Sequence, residues 1–312
     1  MIAVLAGGVG AARFLAGLVR VAEPGEVTAV VNTGDDLVLH GLSISPDIDT
    51  VTYTLAGVAD PATGWGRDGE TFVAMDALER LGAPTWFRLG DRDLGTHLYR
   101  TGRLAEGALL SEVTAELAAA WGVRTRVLPM SDDTVRTRIE LADGGEEVDF
   151  QEYFVHRRHA VAVRAVRFAG AEVSRPAPGV LDALRDAECV VVAPSNPVVS
   201  IGPILAVPGI ASLLEERRDA VVAVSPIVAG QAVKGPAGRL LVELGGESSA
   251  LEVARRLAGV AGTLVVDVAD AALAPMVEQV GLRCVVAPTM MRTSEVAAEL
   301  ARTVLASARR RS

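Results

Sequence analysis

Six short runs built almost wholly from Val, Ala, Leu and Ile recur along the chain: IAVLA (Ile2–Ala6), VTAVV (Val27–Val31), ECVVVA (Glu188–Ala193), DAVVAV (Asp219–Val224), GTLVVDV (Gly262–Val268) and LRCVVA (Leu282–Ala287). None alternates apolar with polar residues along its apolar stretch, so none reads as a strand with one wet face; runs of this kind suit parallel strands buried on both sides. Half the residues are apolar but only 4% are aromatic, which leaves Val, Ala and Leu to fill the core. Helix-like stretches separate the runs, and alternating strand and helix implies a mostly parallel sheet with helices on both faces. The expected fold is therefore α/β, a doubly wound Rossmann-like sheet assembled from both ends of the chain.

Between those ends the texture changes. TRIEL, EEVDFQEYFV and VRAVRF run short or alternate around Asp143-Gly144-Gly145, an antiparallel hairpin signal within Thr137–Phe168. An inserted, mixed α+β subdomain is expected over 59–177, with a core formed by 1–58 and 178–312. Local expectations are helices at Ala11–Ala22, Asp49–Ala56, Thr71–Leu81 (apolar stripe Phe72, Met75, Leu78, Leu81), His97–Arg100, Ser111–Trp121 with Ser111 as N-cap, and Arg292–Ala308. A loop is expected over Gly57–Glu70, and a short strand at Thr85–Gly90.

Charge and composition exclude several classes. The net charge of −9 argues against a nucleic-acid partner, and the basic Arg309–Arg311 reads as a solvated helix end. Mean hydropathy is +0.34, yet no run of about 18 uncharged apolar residues occurs, so no membrane span is expected. The chain enters a strand at once, without a basic segment and apolar h-region, which predicts no secretory signal. Cys189 and Cys284 stand alone inside apparent strands, pointing to a reducing, cytoplasmic setting and to no zinc site of the paired-cysteine kind.

Four aspartates, Asp35, Asp36, Asp47 and Asp49, fall within NTGDDLVLHGLSISPDIDT (Asn32–Thr50), directly after the VTAVV run. Carboxylates at that density need a cation or hydrogen-bond donors, and strand ends are where open α/β sheets bind ligands. An exposed turn for Asp35-Asp36 and a helix cap for Asp47 are the plain alternatives. Taken together, Asn32, Asp36, Asp47, Asp49 and the hydroxyls of Ser43 and Ser45 form a set of hard oxygen ligands of the kind Mg²⁺ accepts. The loop AGGVGAAR offers backbone amides at a helix start, an anion site. It is not a dinucleotide fingerprint: Gly8 and Gly10 fit the first two glycines, but Arg13 occupies the third position. Arg13 could pair with phosphate or simply face solvent. RLGDRDLGTHLYR (Arg88–Arg100) alternates charge signs at a further expected strand end, and its His97 is either a packed histidine or a catalyst. Ser195 and Asn196 in PSNP, and Ser225, Gly230, Lys234, Gly235 and Gly238 in SPIVAGQAVKGPAG, place small or polar groups at two later strand ends. No Walker loop, GxSxG or CxxC motif is present.

Taken in order, the blocks AGGVGAARFL, NTGDDLVLHGLSISPDIDTVTYTLAG, GWGRDGETF, LGDRDLGTHLYR, LPMSDD, FQEYFV, APSNPVVSIGPILAVPGI and SPIVAGQAVKGPAG resemble the 2-phospho-L-lactate transferase / phosphoenolpyruvate transferase family, which makes the deazaflavin coenzyme F-420. The resemblance runs from Ile2 to about Glu299. It implies transfer of a phosphoenolpyruvyl or 2-phospholactyl group from a guanosine diphosphate-linked donor to the terminal ribityl hydroxyl of the deazaflavin Fo, releasing GMP, with Mg²⁺ as cofactor and a homodimer as the assembly. Asp49 and Arg88 match the positions that contact the deazaflavin, and the GGVG loop (Gly8, Gly10) and Ser195-Asn196 match the guanosine side. Asp36 and Asp47, with Asp49, stand where the metal is expected, and Asp49 and Asp47 where catalysis is. Asn32, Arg13, Ser225 and Gly230 complete the substrate-binding set. A nicotinamide-dependent oxidoreductase and a non-catalytic nucleotide-binding regulator are the rival classes; Arg13, and Asn32 in place of an acid at the second strand's end, weigh against the first. If the Ala/Arg/Val-rich composition marks a high-GC actinobacterial genome, phosphoenolpyruvate is the expected donor acid.

Overall fold

The computed structural model describes residues 1–233 and 235–308; Lys234 and the basic tail Arg309–Arg311 lie outside the described residues. The first half of the chain forms β1 (Ile2–Ala6), α1 (Gly8–Leu18), β2 (Val27–Val31), β3 (Leu37–Leu39), β4 (Leu42–Ile44), α2 (Pro46–Ala56), α3 (Val73–Arg80), α4 (Asp93–Ala105), α5 (Leu110–Ala120), β5 (Arg126–Pro129), β6 (Arg136–Leu141), β7 (Glu147–Asp149) and β8 (Val163–Ala169). The second half adds α6 (Val180–Asp186), β9 (Cys189–Val192), α7 (Gly202–Ala206), α8 (Ile210–Glu216), β10 (Val221–Val224), β11 (Ile227–Val228), β12 (Gln231–Ala232), α9 (Ala237–Glu243), α10 (Ala250–Leu257), β13 (Thr263–Val266), α11 (Ala274–Gln279), β14 (Arg283–Val286) and α12 (Ser294–Ala308).

Seven strands form one parallel sheet in the order β14-β13-β10-β9-β1-β2-β5. Successive residues of each strand feed opposite faces, and both faces are buried along β1, β2, β9, β10 and β13, which is why those runs read as continuously apolar; the edge strand β14 is only partly covered. Ala3 and Leu5 of β1 join Val190 and Val192 in one core, while Val4 and Ala6 join Cys189 and Val191 in the other. Full burial of one such Val or Leu contributes roughly 1.5–3 kcal/mol. The chain winds outward from β1 through β2 to β5, then returns to lay β9 on the other side of β1. Strand order therefore reverses between β1 and β9, and a crevice opens there beyond the carboxyl ends, as a doubly wound sheet requires.

Several local expectations change. The first helix starts at Gly8, not Ala11, so the glycine amides form its first turn. α2 starts at Pro46, not Asp49, because proline at the first helical position has the right φ and lacks only an N–H that would go unused. Thr85–Gly90 is irregular, not a strand. Ser111 is not an N-cap: its N–H and hydroxyl both donate to Asp132, while the Glu112 carboxylate accepts from Leu109 N. The antiparallel sheet has the order β7-β6-β8 and carries the expected turn at Asp143–Gly145. However, β5 of the central sheet also comes from within 59–177, so that stretch is interleaved with the core and not set apart from it. Among the described residues no single helix is long and apolar enough to cross a membrane; one pair bent by 93°, Pro197–Ala206 with Ile210–Glu216, passes by length and composition together, and its Ile204, Ile210 and Leu214 are fully buried in the protein core.

Candidate functional site

One cavity of about 870 Å³ occupies the crevice. Its floor is the β1–α1 loop. Gly8 adopts φ +69°, a conformation that favours glycine, and a Cβ on Gly10 would lie 2.2 Å from the Pro194 carbonyl oxygen. The glycines thus serve close approach of two strand-end loops. Ser195 stitches those loops together, its hydroxyl donating to Gly7 O (2.8 Å) and accepting from Gly7 N (3.3 Å). Asn196 Oδ1 accepts from Val198 N and Val199 N, and Ser225 Oγ closes a tight turn onto Ile227. Ser195, Asn196 and Ser225 all line the cavity, with Thr289 and Met291 beyond them. Arg13 lines it too, exposed and without an ion pair among the described residues.

The aspartates divide into two groups. Asn32, fully buried at the end of β2, donates from Nδ2 to Asp35 Oδ1 (3.2 Å) and Asp47 Oδ2 (2.9 Å). Gln151 Nε2 donates to the other Asp35 oxygen (3.0 Å). Burial, then repulsion from Asp47 and Asp36, pushes the Asp35 carboxyl well above the ordinary range. Burial likewise raises Asp47 to about 6, against the hydrogen bonds from Asn32 and Gly8. Two buried carboxylates that share neutral amides and no cationic partner fit a divalent cation, which would lift both the repulsion and the desolvation cost. Asp36 turns away from the cavity. It accepts from Ser45 Oγ (2.7 Å), leaves its other oxygen buried without a partner, and burial raises it to about 7.

Asp49, one further half-turn along α2, meets a guanidinium instead. Arg100 of α4, fully buried, reaches both its oxygens (Nη2 to Oδ1; Nη1 to Oδ2, 3.2 Å). Arg100 Nη1 also lies 3.4 Å from His97 Nδ1. A guanidinium can only donate, so Nδ1 is the acceptor side of that contact, and Nε2 lies 3.4 Å from Asp93 Oδ2. Tyr53 OH donates to Asp93 Oδ1 (2.5 Å) and lies 2.6 Å from Thr96 Oγ1. Burial works to raise the Asp93 carboxyl, but His97 and Tyr53 outweigh it and hold it below its ordinary value. Asp49, Asp93 and His97 each offer one ligand atom within 4.8 Å of the others; the guanidinium beside them opposes a cation there.

The cavity also has an aromatic lining. Phe150 stacks on Phe154 (5.5 Å, 6° between planes) and Phe154 on His159 (5.6 Å, 19°), and Trp65, Trp86 and Phe87 line the same cavity. Arg88 lines it too, pairing with Asp76 (3.0 Å) over the Phe72 ring. The cavity thus brings together Gly8, Gly10, Arg13, Asp47, Asp49, Arg88, Ser195, Asn196 and Ser225. It does not include Asn32 (behind the carboxylates), Asp36 or Gly230; Gly230 sits in the β11–β12 turn, accepting from Ser248 Oγ. Residues not singled out from sequence as site candidates are Tyr53, Asp93, Arg100 and Gln151; Asp35 is one of the four aspartates of the acidic stretch but not one of the expected metal ligands. Asp93, His97 and Arg100 stand at i, i+4 and i+7 on one helix face, a pattern readable in DLGTHLYR.

Fold and cavity together define a doubly wound α/β protein with a cavity at the switch point. The family model for 2-phospho-L-lactate transferase CofD matches residues 2–286. A phosphoenolpyruvate transferase of Streptomyces griseus is 47% identical over 308 residues, covering 97% of both chains, and one of Streptomyces avermitilis is 46% identical, covering 98% of both. A crystal structure of a UPF0052 family member from Bacillus halodurans aligns with TM-score 0.63 at 17% identity, over 97% of this chain and 98% of that one, which shows a shared fold. The chain belongs to the 2-phospho-L-lactate transferase CofD family, and so to a family of transferases.

Proposed function

We propose that the protein transfers a phosphoenolpyruvyl group, or its 2-phospholactyl counterpart, from a guanosine diphosphate-linked donor to the ribityl hydroxyl of Fo, with Mg²⁺. The observation that carries this reading is the buried pair Asp35 and Asp47 against the amide-rich start of α1, with an aromatic lining in the same cavity. The relatives' name, phosphoenolpyruvate transferase, favours that donor acid.

In the transfer the acceptor oxygen forms a bond to the distal phosphorus, the bond from that phosphorus to the bridging oxygen breaks, GMP leaves, and the hydroxyl proton is lost. Mg²⁺, held by Asp35 and Asp47, would neutralise charge developing on the diphosphate. The amides of Val9 and Gly10 and the Arg13 guanidinium take the phosphate oxygens at the positive end of α1, the Gly8 amide being held by Asp47. Ser195, Asn196 and Ser225 face the nucleoside. Phe154, Trp86 and their neighbours offer flat apolar area to a ring system. Asp49 accepts a hydrogen bond from the attacking hydroxyl, aligning its oxygen and receiving the proton. The test is mass spectrometry of mixtures of purified protein, Fo, Mg²⁺ and each donor. Formation of the phosphodiester and GMP in equal amounts is expected. No product with either donor, or an absorbance change on adding NADH, would contradict it.

A further inference from the structure

Arg100 does not reach the cavity, yet it is the one guanidinium within reach of Asp49 among the described residues. It projects from α4 into the core with no exposed area. Its partners there are both oxygens of Asp49 on α2, the Ser43 carbonyl (3.3 Å) before α2, and His97 Nδ1. A buried guanidinium with a single carboxylate is tolerated only where the geometry is tight, and a two-pronged pair fixes both distance and plane. We propose that Arg100 is a positioning residue for the transfer: by gripping both oxygens it fixes the Asp49 carboxylate in one orientation at the cavity wall and withdraws Asp49 from the metal-binding set.

The two acidic groups then have separate tasks. Asp35 and Asp47 have no ion pair among the described residues and touch only amides, so a cation has unshared oxygens to bind there. Asp49 has neither oxygen free of Arg100, and what remains to it is a hydrogen bond from the acceptor. His97 supports the arrangement from behind, its Nδ1 turned to Arg100 and its Nε2 to Asp93. This inference rests on the transfer proposed above.

The experiment compares wild type with Arg100→Lys, Arg100→Met and Asp47→Asn, measuring turnover with Fo and the guanosine diphosphate-linked donor, and Mn²⁺ binding by the purified protein without substrates. Lysine keeps the charge and most of the stem but cannot grip two oxygens. Arg100→Lys is expected to lower kcat/KM for Fo by about 10²-fold, the scale of a misplaced catalytic group, with donor KM and Mn²⁺ affinity unchanged. Asp47→Asn is expected to weaken Mn²⁺ binding. A merely structural role for Arg100 would instead move donor KM, Mn²⁺ affinity and melting temperature together. Full turnover by Arg100→Lys, or by a folded Arg100→Met, would overturn the proposal. So would loss of Mn²⁺ affinity in Arg100→Lys equal to that in Asp47→Asn. Wild-type protein that makes no product would sink the transfer itself, a distinct outcome.

Discussion

Asp47 and Asp49 lie two positions apart in the first turn of α2, and their environments differ in kind. Asp47 meets amides and another carboxylate; Asp49 meets a guanidinium. Asp49→Asn keeps the shape but loses the charge that accepts a proton, so kcat should fall by about 10²–10⁴-fold. A steady-state assay checks this, with circular dichroism to show an intact fold. Near-normal turnover would remove Asp49 from the mechanism. Adjacent acids are where sequence reading reaches its limit. Asp35 and Asp36 follow a glycine, and nothing in the string says which one faces the ligand; the turn after β2 decides it, turning Asp35 to Asn32 and Asp36 to Ser45. Asp36 is one of the three expected metal ligands, with Asp47 and Asp49; Asp35 lines the cavity and Asp36 does not, which is why the proposed cation is assigned to Asp35 and Asp47.

Helices α3 and α4 are tied together by a reciprocal arrangement of caps. Glu70, ahead of α3, accepts from Arg92 N and Asp93 N at the start of α4, both at 2.8 Å. Asp91, ahead of α4, accepts from Val73 N (2.9 Å) and Ala74 N (3.0 Å) at the start of α3. Each helix start is thus satisfied by the other's leader. Glu70→Ala should cost about 1 kcal/mol, the usual loss for a cap, read by urea denaturation; an unchanged midpoint would show that the bonds contribute nothing. The same region explains why elements here were hard to read. Thr85–Gly90 has a strand's composition, but Trp86 and Phe87 are large because they line a cavity, not because they pair with neighbours. β5 is four residues long, begins exposed and ends in proline, leaving little pattern to detect. The strands buried on both faces carried their signal because they must be apolar at every position, and the β6–β7 hairpin because Asp-Gly-Gly suits its turn.

For the whole molecule, the acidic site couples stability to pH and to divalent cation. Folding raises Asp47 to about 6 and Asp36 to about 7 from 3.8. Between those values the folded state binds more protons than the unfolded, so these groups lower stability as pH rises from about 4 to 7. For Asp47 alone the effect is on the order of 3 kcal/mol. A cation that binds only the folded, ionised form offsets that loss. Magnesium should therefore raise the melting temperature more at about pH 7.5 than at about pH 5, and Asp47→Asn should abolish the difference; scanning fluorimetry across pH checks both. An equal magnesium effect at the two pH values would argue for binding elsewhere.

The most direct measurement is anomalous diffraction from crystals soaked with Mn²⁺ and a guanosine nucleotide. The account predicts a manganese peak between the carboxylates of Asp35 and Asp47, beside the α1 N-terminus and in contact with the nucleotide's phosphates. A peak among Asp49, Asp93 and His97 instead, or phosphates seated away from the β1–α1 loop, would contradict it.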